Sequence, residues 1–300
     1  MARYALRFPE NAPGEFFVEQ ACIDCDVCRQ VAPQVFGERP QGESFVVRQP
    51  VTEAERRRAL LALVACPTSA IGTHPRADAS AAIDAFPEVV EGEVSWCGFT
   101  SPDSFGAHAY LIERPGGNVL VDSPRAAAPL VQRLSERGGI RFMFLSHRDD
   151  VADHQKFRER FGCERILHAR DAVGRLQNVE AILSGDEPIA LAEDLLALPV
   201  PGHTAGSMAL LYRERFLFTG DHLWWSEARR GLVASRSVCW YSWAEQVRSL
   251  EKLRTFRFEW VLPGHGRRFH AASAEAMRGE LDSLLRSIGA PGTASGLRRE

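Results

Sequence analysis

The chain has 300 residues, of which 45% are hydrophobic and 25% are charged, and its formal net charge is −3. This composition is typical of a globular protein of about two domains, and the slightly acidic balance does not favour a nucleic-acid partner. The first residues lack the apolar core of a secretory signal, and no apolar run is long enough to cross a bilayer, so we expect a cytoplasmic protein without a membrane partner.

Four of the seven cysteines form one pattern near the start of the chain. Cys22, Cys25 and Cys28 read C-x2-C-x2-C, and a distant Cys66 is followed by Pro67. Three thiolates in such a compact loop surround one corner of a cubane cluster, and a remote cysteine closes the fourth iron. Structural zinc sites usually pair cysteines two and two, so zinc is the weaker alternative. We therefore predict one iron–sulfur cluster, most simply 4Fe-4S, bound by these four cysteines.

This segment resembles a single-cluster ferredoxin domain. Two-cluster ferredoxins place a fourth cysteine and a proline shortly after the third cysteine, and that cysteine serves the other cluster. Here Ala32-Pro33 stands at this position, so the thiolate for a second cluster is missing. A capping box from Thr52 to Glu55 predicts the start of a helix that leads to Cys66.

A connector follows, PRADASAAIDAFPEVVEGE, which is rich in small and acidic residues and contains two prolines. It separates the cysteine pattern from a different kind of sequence. The predicted organisation, in chain order, is a ferredoxin-like iron–sulfur domain at residues 1–78, a linker at residues 79–93, a larger domain at residues 94–285 and a flexible tail at residues 286–300.

In the larger domain, β-prone runs are each followed by a candidate metal ligand. In chain order they are residues 142–145 before His147, residues 195–200 before His203, residues 216–218 before Asp221, and residues 260–262 before His265. A rigid sheet can direct ligands to a common point when loops leave the ends of its strands. Helical patterns alternate with these runs, and two hairpins are predicted near residues 111–121 and 208–219, so we expect a layered α/β domain.

These motifs resemble the metallo-β-lactamase superfamily. The matching segments are PGHTAGS at 201–207, TGDHL at 219–223 and LPGHG at 262–266, and SFGAHAYLI with VLVDSPR resembles the first strands of that family. The resemblance spans residues 94–285 and implies an αββα sandwich with metal ions at one edge of its two sheets. It also implies an enzyme, a metallohydrolase.

The resemblance further implies a ligand set for one or two divalent ions. It assigns, in chain order, His147 and His203 to the first ion, Asp153, His154 and His265 to the second ion, and Asp221 to a bridge between them. Imidazole and carboxylate suit zinc, iron or manganese, and two such ions acidify a shared water near neutral pH. Asp153 and Asp221 are therefore the candidate catalytic residues.

One part of this set departs from the family pattern, H-x-H-x-D-H. The segment SHRDDVADH lacks the middle histidine, and its Asp-His pair comes two residues late. We predict that Asp149 replaces the missing histidine, with Asp150 as the alternative. A carboxylate is a harder ligand than imidazole and favours iron or manganese over zinc. Its shorter reach leaves open a single-metal site made of Asp153, His154, Asp221 and His265.

Three functions remain open. We favour a hydrolase that uses a metal-bound hydroxide on a small-molecule ester, thioester or similar substrate, with an iron–sulfur domain of regulatory, structural or electron-transfer role. The second is a di-iron redox enzyme fed by its own ferredoxin domain, because flavodiiron proteins also have an acidic residue in place of the middle histidine. The third is a redox sensor or electron carrier without enzymatic activity. The redox functions imply a redox partner protein, and the oligomeric state stays open.

Overall fold

A computed structural model describes residues 2–289 of the chain. The chain divides into two compact units. In the described part of the chain, the first unit comprises residues 2–141 together with Val151–Cys163, and the second comprises Phe142–Asp150 together with residues 164–289. Among the described residues, no helix combines the length and the apolar character needed to span a membrane.

The first unit begins with the cysteine-containing segment. Its elements are β1 (Phe16–Val18), α1 (Val27–Val31), β2 (Phe36–Glu38), β3 (Ser44–Val46), α2 (Glu53–Ala65) and β4 (Ile71–Thr73). Strand β1 pairs antiparallel with β4, and β2 with β3. The predicted capping box is confirmed, because Thr52 Oγ1 accepts a hydrogen bond of 3.1 Å from the backbone N of Glu55. Helix α2 buries Leu60, Leu61 and Val64, and Cys66 follows its last residue.

The rest of the first unit is an antiparallel sheet with helices. It contains α3 (Ser80–Asp84), β5 (Glu88–Glu91), β6 (Val94–Trp96), β7 (Tyr110–Ile112), β8 (Val119–Val121), α4 (Ala128–Glu136) and α5 (His154–Phe161). Strands β5 to β8 pair in sequence order, and β7 with β8 is the predicted hairpin. The predicted linker at residues 79–93 is instead ordered, because β5 extends this sheet and the fully buried Phe86 packs edge-on against Trp96.

The second unit carries two sets of strands. Its elements are β9 (Phe142–Phe144), β10 (Glu164–His168), β11 (Ala181–Leu183), β12 (Ile189–Ala192), β13 (Leu195–Pro199), β14 (Met208–Tyr212), β15 (Phe216–Gly220), β16 (Trp224–Ser226), β17 (Gly231–Val233), α6 (Trp243–Leu253), β18 (Trp260–Pro263), β19 (Phe269–His270) and α7 (Ala274–Gly289). Strands β9, β10 and β11 are parallel neighbours. The other set forms a sheet in the order β12-β13-β14-β15-β18-β19.

Strand direction in this second sheet determines where its loops meet. Strand β14 pairs antiparallel with both β13 and β15, and β15 pairs parallel with β18. Strands β13, β15 and β18 therefore run in the same direction, and their carboxyl ends lie at the same edge of the sheet. The loops that follow these three strands contain the PGHTAGS, TGDHL and LPGHG motifs.

Helices α6 and α7 cover the apolar face of this sheet. Buried side chains of both helices, among them Leu250 and Leu281, pack with Leu217 and Val261 of the strands in one hydrophobic cluster. Helix α7 extends to Gly289, so the first residues of the predicted flexible tail are helical. The rest of that tail, residues 290–300, lies outside the described residues.

Candidate metal centres

The four cysteines of the predicted cluster site line one small cavity in the first unit. The lining thiols are those of Cys22, Cys25, Cys28 and Cys66. Two aspartates, Asp24 and Asp26, stand on either side of Cys25 and adopt left-handed backbone conformations, with φ of 59° and 63°. Aspartate tolerates this region better than most residues do. These two reversals fold the loop so that three thiols face the fourth across the cavity.

The donor chemistry of this cavity fits an iron–sulfur cluster. Burial raises the pKa of Cys25 to about 12 and the pKa of Cys28 well above its usual value, so bound cations are needed to keep these groups as thiolates. The backbone N of Ala70 lies 3.3 Å from Cys66 Sγ and donates to it. Hydrogen bonds of this kind to cysteine sulfur tune the potential of a cluster.

A second constellation, of histidines and carboxylates, lies in the second unit. His203, Asp221 and His265 occupy the loops after β13, β15 and β18, at the shared edge of the sheet. The loop after β9 contributes His147, Asp149 and Asp150. The ligand-type atoms of His147, Asp149 and His203 lie within 4.8 Å of one another, and so do those of His147, Asp150 and Asp221.

Individual distances place Asp221 in the middle of the constellation. Its Oδ2 is 3.9 Å from Nε2 of His203 and 3.9 Å from Nε2 of His265. His203 Nε2 is 3.4 Å from Asp149 Oδ2, and His265 Nε2 is 3.5 Å from Asp150 Oδ1. Asp221 therefore has the central position expected of a bridging carboxylate.

Several buried atoms at the centre of this constellation lack hydrogen-bond partners. They are Nε2 of His147, Nε2 of His203, Oδ2 of Asp150 and Oδ1 of Asp221. The other ring nitrogen of each histidine is engaged: His147 Nδ1 lies 2.9 Å from Ser146 Oγ, and His203 Nδ1 contacts the carbonyl of Val238. Metal-binding histidines commonly use one nitrogen in this way and leave the other for the ion. Imidazole and carboxylate groups left free at one centre fit divalent cations.

Burial and neighbouring charge shift the protonation of these groups. Burial lowers the pKa of His147 to about 4, so the ring is neutral and able to coordinate at neutral pH. Burial alone would lower the pKa of His203. The carboxylates of Asp149 and Asp221 outweigh this effect, so the pKa of His203 is raised above its usual value. Burial and the adjacent Asp150 raise the pKa of Asp221. A concentration of buried negative charge of this kind is stabilised when a cation binds.

The positions of Asp153 and His154 differ from the ligand set implied by the family motif. Neither residue belongs to the two groups of converging atoms, in which Asp150 takes part instead. The carboxylate of Asp153 accepts a 2.8 Å hydrogen bond from the backbone N of Ala126 and lies 2.8 Å from Lys156 Nζ. Helix α5 begins at His154, and Asp153 is the residue directly before it.

A buried aspartate outside the sequence motifs, Asp171, connects two of the ligand-bearing loops. Asp171 is completely buried and accepts hydrogen bonds from the backbone N of Arg148 and from the hydroxyl and amide of the His203 loop. Those last two donors are Thr204 Oγ1 at 2.5 Å and Gly206 N at 3.0 Å. The sequence contains a signal for Asp171, since it follows the apolar strand β10 as the ligands follow theirs.

Comparison with known proteins finds two kinds of relative, one that matches a short N-terminal segment and one that matches about two thirds of the chain. Residues 18–73 match the family described as the 4Fe-4S single cluster domain of Ferredoxin I. The crystal structure of the B3 metallo-β-lactamase BLEG-1 superimposes with a TM-score of 0.51 and 17% identity, over 66% of this chain and 100% of that one. This likeness shows the fold, and the sandwich predicted for residues 94–285 is confirmed as a metallo-β-lactamase fold.

Two curated relatives are hydroxyacylglutathione hydrolases. The protein from Anaeromyxobacter dehalogenans is 33% identical over 124 residues, which is 40% of this chain and 47% of the relative. The protein from Cereibacter sphaeroides is 32% identical over 142 residues, 45% of this chain and 55% of the relative. The chain thus spans about half the length of the curated relatives it matches. It is a metallo-β-lactamase-fold protein, and in particular one whose residues 18–73 match a single-cluster ferredoxin domain.

Proposed function

We propose that the protein is a metal-dependent hydrolase that cleaves an ester or thioester of a small acyl group. Two observations support this: six imidazole and carboxylate side chains converge after four strands, and two relatives that are 32–33% identical over the matched part are named hydroxyacylglutathione hydrolases. Hydroxyacylglutathione is a thioester, so the thioester of a small thiol is the first substrate class to test.

We assign the ligands of two cations from the geometry. The proposed set is His147, Asp149 and His203 for one cation, Asp150 and His265 for the other, and Asp221 between the two. The observation that carries this assignment is the group of four buried, unpartnered ligand atoms at its centre. Buried polar atoms without partners are costly, and an ion bound among them offsets that cost.

The residues around the cations have separable roles. Divalent ions held here would polarise a substrate carbonyl and acidify water near neutral pH. The three carboxylates supply the negative charge that holds the ions, and Asp221 receives contacts from both sides of the site. Val238 and Ser146 orient the rings of His203 and His147 through their Nδ1 atoms.

The test compares two aspartates of one short segment, Asp150 and Asp153, which lie three and six positions after the ligand His147. Full-length protein is purified without oxygen, its zinc, iron and manganese are counted, and turnover of a hydroxyacyl thioester and an aryl ester is measured. We expect Asp150→Asn to lose a divalent ion and about a hundredfold or more of the turnover. Asp153→Asn is the matched control and should keep both, since its partners are Ala126 and Lys156. The opposite pattern would restore the ligand set implied by the family motif.

A second candidate function, di-iron redox chemistry, is favoured by one observation. Three carboxylates contribute to the constellation. Hard oxygen ligands of this kind suit iron or manganese better than they suit zinc. The two functions are separated by the site metal and its response to electrons. Zinc with full thioester turnover supports hydrolysis, whereas iron whose spectrum changes when the cluster is reduced supports the redox function.

For the cysteine cavity we propose one 4Fe-4S cluster bound by Cys22, Cys25, Cys28 and Cys66. The match of residues 18–73 to a single-cluster domain and the convergence of the four cysteines on one cavity support it. Iron and acid-labile sulfide in equal amounts, with a broad visible absorbance that bleaches on reduction, is the expected result. Zinc alone, without sulfide, would contradict it.

A further inference from the structure

A loop outside the ferredoxin-like segment packs against Cys25, one of the cysteines that line the cavity. It is residues 99–108, between β6 and β7, and we call it the cavity loop. At its centre Gly106 has a φ of +88°, and a Cβ added there would lie 2.7 Å from the Cβ and 3.0 Å from the Sγ of Cys25. Its backbone therefore touches a cluster ligand at a distance that only glycine permits.

Two further contacts attach the same loop to the elements that carry the other ligands. Thr100, which is completely buried, donates from Oγ1 to the carbonyl of Ala65 at 2.6 Å, and Ala65 is the last residue of α2 before Cys66. His108 Nε2 lies 3.1 Å from Oε1 of Gln30, in the helix α1 that carries the third cysteine. The cavity loop thus contacts the supports of three ligands, all within the first unit.

The cavity loop is held in shape by its own backbone hydrogen bonds. Gly106 N donates to the carbonyl of Ser101 at 2.8 Å, and Ala107 N donates to the carbonyl of Ser104 at 2.9 Å. Ser101 Oγ accepts from the backbone N of Asp103 at 3.2 Å. A loop closed in this way presents a fixed surface to Cys25, so the contact does not depend on a mobile side chain.

We propose that the cavity loop, which packs behind Cys25 and outside the lining of the cavity, determines how firmly the cluster is held and at what potential it is reduced. The proposal rests on the proposed cluster at the four cysteines. Solvent access and the groups packed around cysteine sulfur are among the main determinants of cluster potential. Residues 99–108 lie outside the segment that matches the ferredoxin family, residues 18–73. The contacts that support the cluster ligands therefore include a segment outside the ferredoxin match.

The test uses two glycine substitutions in the full-length, anaerobically purified protein. Gly106→Ala adds a methyl group against Cys25. Gly92→Ala is the matched control, because Gly92 also has a positive φ, +53°, but an added Cβ there meets no atom within 4 Å. Both variants place alanine in a left-handed backbone conformation, and only Gly106→Ala brings the added methyl group against Cys25. The readouts are iron and sulfide per chain, the rate at which a chelator removes the cluster, and the midpoint potential.

We expect Gly106→Ala to lose its cluster to the chelator about tenfold faster than Gly92→Ala, the scale typical of groups that support metal ligands. If the contact with Cys25 stabilises one oxidation state of the cluster ten times more than the other, its loss moves the midpoint potential by about 59 mV for one electron. Equal retention and equal potential in both variants and the wild type would overturn the proposal. A wild-type protein without iron and sulfide would instead refute the proposed cluster itself.

A second variant covers the case in which Gly106→Ala fails to fold. Thr100→Val removes the hydrogen bond to Ala65 and leaves the contact with Cys25 free of added atoms. We expect the same direction of change in cluster retention, smaller in size, with a thermal unfolding curve that remains cooperative. A Thr100→Val protein that is folded and has wild-type retention and potential would contradict the role of the cavity loop.

Discussion

The cysteine site and the histidine–carboxylate site are assembled from different kinds of chain segment. Two of the four cysteines lie in one short loop, the third lies in the helix α1 that follows it, and the fourth follows the next long helix, α2. The ligand candidates of the other site follow four separate strands, between His147 and His265. The first site depends on local turns and a few hydrogen bonds, whereas the second depends on the register and direction of a whole sheet. The two sites should therefore fail independently, which the following substitutions test.

The largest expected effects come from removing a central ligand at either site. We expect Asp221→Asn to lose the divalent metal and more than about a hundredfold of the hydrolysis while it keeps cluster iron and sulfide, because Asp221 contacts both sides of its site. We expect Cys66→Ser to lose the cluster and keep the divalent metal. Elemental analysis and visible absorbance report both. Cys97→Ala, a buried cysteine outside the cavity, is the control.

If either ligand substitution emptied both sites, the sites would not be independent. If Asp221→Asn kept its divalent metal, the central position of this carboxylate would have no role in binding.

A smaller effect on metal binding is expected at Asp171, which supports the ligand-bearing loops but is not itself a proposed ligand. Asp171→Asn removes one charged acceptor that joins the Arg148 backbone N and the Thr204 hydroxyl, so we expect the affinity for the site metal to fall about 10- to 100-fold. The cluster should be unaffected. Affinity is measured by competition with a chromophoric chelator. Asp186→Asn, an exposed carboxylate paired with Arg170, should leave the affinity unchanged.

Core truncations should separate the two regions by stability. Leu61 in α2 and Leu250 in α6 are both completely buried, and replacing either by alanine should cost about 2–5 kcal/mol. We expect Leu61→Ala to accelerate cluster loss and Leu250→Ala to weaken retention of the divalent metal. Chemical denaturation followed by cluster absorbance and by far-UV circular dichroism measures the two effects. A matching change at both sites in either variant would argue for one cooperative structure.

The smallest expected effects concern two helix caps, one in each region. Thr52 Oγ1 caps α2 through the N of Glu55 at 3.1 Å, and Ser242 Oγ caps α6 through the N of Glu245 at 3.3 Å. Each alanine substitution should cost about 1 kcal/mol. Thr52→Ser keeps the acceptor and should restore most of the stability. A Thr52→Ala protein as stable as the wild type would show that the cap is replaced by solvent.

The elements that positioned the sites were largely predictable because their signals are periodic. The hairpin of β7 and β8, the helix α6 and the strand β13 follow from runs of apolar residues with clear boundaries. The segment 79–93 was less readable: small and acidic residues suggested a linker, yet burial of Phe86 and pairing of β5 with β6 make it part of a sheet. Pairing between strands depends on partners that the local composition does not contain.

The cysteine pattern, the capping box of α2 and the three strand-end motifs are local features, and spacing along the chain was sufficient to identify them. The proximity of Asp150 to His147 and Asp221, the hydrogen bonds of Asp171 and the contact of Gly106 with Cys25 depended on the tertiary structure. The physical reason is distance in the chain. A motif constrains neighbours within a few residues, but which carboxylate reaches an ion is decided where a helix starts and where separate loops pack together.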